Sequence, residues 1–288
     1  MSKPLPEGKY ADLSDGLRLH YHDLAPANGP ALGNIILIQG SGPGASGWSN
    51  FQHNADPFAS AGYRVLVIDL PGYGFTSKPG DAIYSLDYFV GYLKQLVDHL
   101  ALKNCILVGN SLGGAIAMGF ALAHPQLVSH LVLMAPGGLE EREVYFATEG
   151  IQAMVKYPLG SPEFTRDVLR QLLQLLVYDP TLVTEQLVAE RWQILQLQNP
   201  QVLATMQVPN LSGRLPELQC PVLAFWGRED KFCPISGAHT LINNCRNAQV
   251  NMLTECGHWV MVEYADYFNR QCLDFLQHTP GGQSGVHP

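Results

Sequence analysis

No run of this 288-residue chain is long and apolar enough to span a bilayer, the longest apolar segments being of strand length. The start, Met1-Ser2-Lys3-Pro4-Leu5-Pro6-Glu7, lacks the apolar centre of a secretion signal. Both absences lead to the expectation of a cytoplasmic protein without membrane contact. Blocks of lysine or arginine are missing too, and 17 Lys/Arg against 25 Asp/Glu give a formal charge of -8, which excludes a surface built for nucleic acid or anionic lipid. Cys-x-x-Cys spacing is absent among the six cysteines (105, 220, 233, 245, 256 and 272). Several of these lie in apolar segments, so they read as packed reduced thiols rather than as disulfides or a metal site.

What is present is a large apolar fraction, 47%, enough for a sizeable core. Tyr10-Ala11-Asp12-Leu13 and Leu17 to His22, joined through Asp15-Gly16, predict a hairpin, because Asp-Gly supplies the positive φ angles of a tight turn. Apolar runs follow: Ile35 to Ile38, Val65 to Ile68, Ile106 to Val108, Leu131 to Met134, Val222 to Trp226 and, interrupted by Asn251, Val250 to Leu253. Runs without alternation indicate strands buried on both faces. Helical patterns at 86–101, 112–124, 236–244 and 265–277 separate most of them, which predicts an α/β protein with an eight-stranded, mostly parallel sheet covered by helices. Between 138 and 210 no strand-like run occurs, and Pro158, Pro162, Pro180, Pro200 and Pro209 divide a Leu-, Gln- and Glu-rich stretch into about four helices. The expected organisation is a core in two parts, 1–137 and 211–279, an inserted helical cap at 138–210, and a disordered tail at 280–288.

Chemistry concentrates at Gly109-Asn110-Ser111-Leu112-Gly113. An apolar strand precedes this Gly-x-Ser-x-Gly run and a helix follows it, so Ser111 sits on a sharp strand-to-helix turn, with glycines where a Cβ would strike the neighbouring backbone. A serine hydroxyl needs a base and a group to orient that base. His258, in Cys256-Gly257-His258-Trp259, follows the last strand and is the base candidate, while His20, His22, His99, His124, His278 and His287 read as surface or internally satisfied histidines. In Trp226-Gly227-Arg228-Glu229-Asp230 the Gly-x-x-Asp spacing favours Asp230 over Glu229 as the orienting acid. The order Ser111, Asp230, His258 is that of the α/β-hydrolase fold. An oxyanion hole would take the N–H of Leu112 and that of Ser41, in the glycine-rich stretch Gln39-Gly40-Ser41-Gly42-Pro43-Gly44-Ala45. A phosphate-binding loop is disfavoured there, since no Gly-Lys-Ser/Thr ends the run and no helix signature follows closely.

Gly40 to Ala45, Gly109 to Gly114, Met134-Ala135-Pro136-Gly137-Gly138 and Cys256 to Trp259 together resemble the meta-cleavage product hydrolases, over about residues 10 to 277. The resemblance implies a serine-dependent enzyme that hydrolyses a carbon–carbon bond in a 2-hydroxy-6-oxo-dienoate, with no metal or organic cofactor, acting on a small molecule as a homo-oligomer, a dimer or larger. It also implies substrate contacts at Gly40, Gly42, Asn50, Asn110, Arg191 and Trp259. An arginine suits that list, because residues 138–209 hold five Lys/Arg against nine Asp/Glu and an anionic substrate needs a local cation. The chain departs from the family at Gln39, where His is usual, and a glutamine can still brace the loop by hydrogen bonding. The rival enzyme is a carboxylesterase using the same three residues without Arg191, and a different class is a catalytically silent binding protein of this fold. Dehalogenases and epoxide hydrolases carry Asp where this chain has Ser111.

Overall fold

The computed structural model describes residues 5–282. Eight strands, β1 (Lys9–Asp12), β2 (Arg18–Leu24), β3 (Asn34–Ile38), β4 (Arg64–Ile68), β5 (Cys105–Asn110), β6 (Val128–Met134), β7 (Val222–Gly227) and β8 (Ala248–Leu253), form one sheet in the order β1-β2-β4-β3-β5-β6-β7-β8. β1 and β2 are the predicted hairpin, with Tyr10 opposite His20 and Gly16 at φ +82° in the turn. β2 runs antiparallel to β4 and every later pairing is parallel.

The unbroken apolar runs are explained by the pleat, which sends successive side chains to opposite faces. Along β3, Ile36 and Ile38 enter one core while Ile35 and Leu37 enter the other, and β5 divides Leu107 from Ile106 and Val108 in the same way. β8 departs from this expectation. It is an edge strand paired only with β7, its residues are half-buried or exposed, and Met252 is 50% exposed.

The helices are α1 (Gly47–Phe51), α2 (Ala55–Ser60), α3 (Leu86–His99), α4 (Leu112–Ala123), α5 (Arg142–Phe146), α6 (Glu149–Lys156), α7 (Arg166–Leu175), α8 (Glu185–Leu195), α9 (Gln201–Thr205), α10 (Ser236–Asn244), α11 (Val260–Glu263) and α12 (Ala265–His278). Phe89 of α3, Phe120 of α4 and Leu241 of α10 pack in one core. Phe51, Phe58, Phe268 and Phe275 of α1, α2 and α12 pack in the other. Fully burying one such side chain is worth about 1.5–3 kcal/mol. Among the described residues no helix is long and apolar enough to cross a membrane.

Between β6 and β7 lie five α-helices, α5 to α9, and two 3-10 segments, Pro180–Leu182 and Ser212–Glu217, rather than about four helices. The proline positions miss the break between α5 and α6, where Thr148 starts a new helix without one. Thr165 and Thr184 cap α7 and α8 by accepting from Val168 N–H and Leu187 N–H, each such cap being worth about 1 kcal/mol. The insertion returns to the core beside α3, where Leu86 N–H donates to Gln207 O at 2.9 Å. Residues 283–288 of the expected disordered tail lie outside the described residues. Its beginning is docked, since Gly282 N–H donates to Ser129 O at 3.1 Å.

Candidate active site

Ser111 stands between β5 and α4 with φ +55° and ψ -117°. Such a backbone costs about 1–3 kcal/mol for a residue with a Cβ and persists only where the surroundings enforce it. Here Ser111 N–H donates to Met134 O, and Ser111 O accepts from Gly137 N–H at 2.9 Å. The flanking glycines are sterically required. A Cβ at Gly109 would lie 2.3 Å from Gly113 O, and one at Gly113 would lie 2.1 Å from Ile38 O. Gly113→Ala is therefore expected to cost about 1–3 kcal/mol or more through forced backbone shifts, seen as a lower midpoint in thermal unfolding. An unchanged midpoint would show that the turn is not enforced as described.

His258 Nδ1 and Asp230 Oδ2 are 2.7 Å apart, with side chains 3% and 1% exposed. The other Asp230 oxygen accepts from Phe232 N–H at 2.7 Å and Cys233 N–H at 2.9 Å, so the carboxylate is aimed by its own loop. Glu229 is engaged elsewhere, with Arg228 and with Cys256 N–H. The histidine loop is pinned from the insertion, as Leu176 O accepts both His258 N–H (2.9 Å) and Trp259 N–H (3.1 Å). Glu263 reinforces this by accepting from Gly257 N–H at 2.7 Å and Tyr178 N–H at 2.6 Å, and burial raises its carboxyl pKa. Ser111 and His258 face one cavity of about 930 Å³. Cys233 also lines it, and burial beside Asp230 pushes its thiol well up, so it remains protonated.

Ser41 and Leu112 line the same cavity. Leu112 is the first residue of α4, where an N–H has no partner within the helix. Gly40 packs closely on the nucleophile, since a Cβ there would lie 3.0 Å from Asn110 Oδ1 and 3.2 Å from Ser111 Cβ. Gly42 has open space around its Cα. Gln39 does not brace the loop as expected. Its side chain is fully buried, and neither Nε2 nor Oε1 has a partner among the described residues. The loop is instead followed at once by α1, contrary to the absence of a helix signature. Ser46 and Ser49 form a reciprocal cap on that helix, with Ser49 in the position where Glu or Gln would be the recognisable signal. The missing Gly-Lys-Ser/Thr still separates this segment from a phosphate-binding loop.

Asn50, Arg191 and Trp259 come together beside the cavity that holds Ser111. Arg191, on α8, is 1% exposed, donates from Nη2 to Asn50 Oδ1 at 2.7 Å and lies 4.8 Å above the Trp259 ring. Nε and Nη1 have no partner among the described residues. Burial pushes the guanidinium down to about 9, only partly offset by the Glu190 carboxylate. Asn110 spends Nδ2 on Met134 O and His258 O, which leaves Oδ1, an acceptor, unpaired.

Several residues without any sequence signal hold these groups. Asp69 accepts from Gly47 N–H at 2.7 Å, fixing the start of the helix that carries Asn50, and pairs with buried His20 at 2.8 Å, which makes His20 an internally satisfied histidine. Tyr73 donates to Ser41 O at 3.2 Å, and Gln198 accepts from Gly44 N–H at 2.8 Å.

A glycine-flanked serine on a strained turn, with a buried Asp–His pair at the ends of the next strands, defines a hydrolase of the α/β class. The sequence matches the α/β hydrolase fold family over residues 34–265. It is 38% identical, over 93% of this chain and 95% of the other, to a 2-hydroxy-6-oxononadienedioate/2-hydroxy-6-oxononatrienedioate hydrolase of Paraburkholderia phymatum. It is 36% identical, over 92% and 93%, to a 2-hydroxy-6-oxo-6-phenylhexa-2,4-dienoate hydrolase of Comamonas testosteroni. Among solved structures, a meta-cleavage product hydrolase from Pseudomonas fluorescens IP01 superposes with a TM-score of 0.80 at 30% identity, covering 93% of this chain and 97% of that one. The chain belongs to the α/β-hydrolase family and, within it, to the meta-cleavage product hydrolases.

Proposed function

We propose that this enzyme hydrolyses the C5–C6 bond of a 2-hydroxy-6-oxo-dienoate to 2-hydroxypenta-2,4-dienoate, or a relative, and a carboxylic acid. The observation that carries the reading is Arg191, a buried guanidinium with two unpaired donors on the wall of the cavity that holds Ser111. An uncompensated buried cation is costly, and a substrate carboxylate supplies the missing partner bidentately. An ester needs no such group.

In this mechanism Arg191, Asn50 and Trp259 hold the carboxylate end, and Asn110 Oδ1 accepts from the 2-hydroxyl. The dienol becomes its 2-oxo tautomer by losing that hydroxyl proton and gaining one at C5. Ser111 Oγ then gives its proton to His258 and attacks C6, while Asp230 orients and stabilises the imidazolium. The N–H groups of Leu112 and Ser41 receive the oxyanion, with Gly40 and Gly42 letting the backbone come close. The C5–C6 bond breaks, its electron pair passing into the 2-oxo-enoate system, and the dienoate leaves protonated. Water activated by His258 cleaves the acyl-serine to the carboxylic acid. No step calls for a metal or organic cofactor.

The helical insertion acts as a cap and supplies the remaining wall. Ile151, Met154, Leu159, Leu172, Leu203 and Val208 are among its lining side chains. The only lining cation besides Arg191 among the described residues is exposed Arg142, stacked on Phe146 at 4.8 Å. A carboxylate buried against such a wall would lose its hydration unpaired, which supports an apolar C6 substituent, alkyl or aryl. The test is a set of yellow ring-fission products differing at C6. The 6-phenyl compound is expected to show a kcat/KM at least about tenfold above that of the 6-(2-carboxyethyl) compound, one tenfold step being 1.4 kcal/mol. The reverse order would overturn the apolar assignment, and rapid p-nitrophenyl ester turnover with no bleaching of any member would overturn the carbon–carbon reading. We further propose a cytoplasmic homo-oligomer, supported by family resemblance and by buried unpaired cysteines; gel filtration giving a monomer would refute the oligomer.

A further inference from the structure

The loop that carries Ser41 is held from two sides by two different parts of the molecule. From the core, fully buried Tyr73 donates to Ser41 O at 3.2 Å. From the insertion, Gln198, three residues beyond the end of α8 and 6% exposed, accepts from Gly44 N–H at 2.8 Å. A backbone N–H can only donate, so the facing amide atom is the oxygen and the side-chain orientation is fixed by chemistry. Ser41, Gly42, Pro43 and Ala45 line the cavity, whereas Gly44 turns away toward α8. Gly44 has φ +66°, and a Cβ there would stand 2.2 Å from the carbonyl oxygen of Arg191 itself. The platform under Gln198 is rigid, because the next residue, Asn199, donates from its N–H to Gly72 O at 3.0 Å and from its side chain to Pro79 O at 2.8 Å.

We propose that Gln198 is a positioning residue that ties the oxyanion-donor loop to the helix bearing Arg191. Ser41 N–H then reaches its working place only while α8 is seated. Substrate recognition at Arg191 and charge stabilisation at Ser41 thereby share one support, three residues from Ser41 in the loop and seven from Arg191 in the insertion. The proposal rests on the oxyanion role assigned to Ser41.

Three measurements on the intact enzyme test it. Gln198→Met keeps length and volume but removes the strong acceptor, whereas Gln198→Glu retains an acceptor. Complete loss of one oxyanion donor costs about 100- to 1000-fold, and a loosened donor should cost less. Gln198→Met is therefore expected to lower kcat on the 6-phenyl dienoate about tenfold with KM within about twofold. Gln198→Glu should retain kcat within about threefold of the parent. Because esters use the same hole, p-nitrophenyl acetate kcat should fall in parallel, so this arm reports on Gln198 even if no dienoate is turned over. In glycine-labelled enzyme the Gly44 amide should exchange faster in the Met variant. Parent-like kcat on both substrates with Gln198→Met, or a kcat loss that Glu fails to restore, would overturn the proposal in favour of simple packing.

Discussion

Ser111→Ala is expected to lower the bleaching rate of a 6-phenyl dienoate by about a millionfold, the loss typical of removing the nucleophile from a group that acts as a unit. Binding should survive, because Arg191, Asn50 and Trp259 are untouched, so the variant should take up the yellow compound and hold it. Stopped-flow absorbance reads the rate and equilibrium dialysis reads the binding. Alanine keeps the Cβ, and with it the strain of a residue at φ +55°, so its unfolding midpoint should match that of the parent. Ser111→Gly removes the Cβ as well and should be the more stable of the two, by about 1 kcal/mol. A residual rate within tenfold of the parent in either variant would mean that water, not Ser111, attacks the ketone.

Arg191→Met is expected to separate recognition from stability. The methionine fills the space over Trp259 but leaves the substrate carboxylate unpaired in a buried site, which costs about 2–5 kcal/mol, so kcat/KM for the dienoate should fall about a thousandfold. Ester turnover should change less than threefold. In the free enzyme the guanidinium stands 1% exposed with two unpaired donors, and replacing a buried charge by an apolar group of similar volume is often neutral or stabilising by about 1–4 kcal/mol. The variant should melt no lower than the parent. Equal losses on dienoate and ester would remove Arg191 from substrate recognition and place it among structural groups.

Much of the fold is legible because a sheet covered on both faces leaves a local trace. β3 to β7 carry unbroken apolar runs since both faces are buried, whereas β8, an edge, is interrupted by Gln249 and Asn251. Ser111 is legible through glycines that backbone atoms within 2.3 Å make obligatory, and Asp230 and His258 through their places after β7 and β8. What stays hidden is held by single long-range hydrogen bonds. Gln198 to Gly44 spans 154 positions and Gly47 to Asp69 spans 22, and neither carries a periodic pattern. α1 is hidden because it is five residues long and its cap uses serine twice. Gln39 invites a hydrogen-bonding assignment from residue type alone, and only the three-dimensional structure shows its buried amide without a partner among the described residues.

The central claim, that Ser111 and Arg191 cooperate to break a carbon–carbon bond, is tested most directly by incubating the purified enzyme with 2-hydroxy-6-oxo-6-phenylhexa-2,4-dienoate and identifying the products. The account predicts loss of the yellow colour with benzoate and 2-hydroxypenta-2,4-dienoate formed in equal amounts, both abolished in Ser111→Ala. Persistent colour and no benzoate, from an enzyme that turns over p-nitrophenyl esters rapidly, would contradict it.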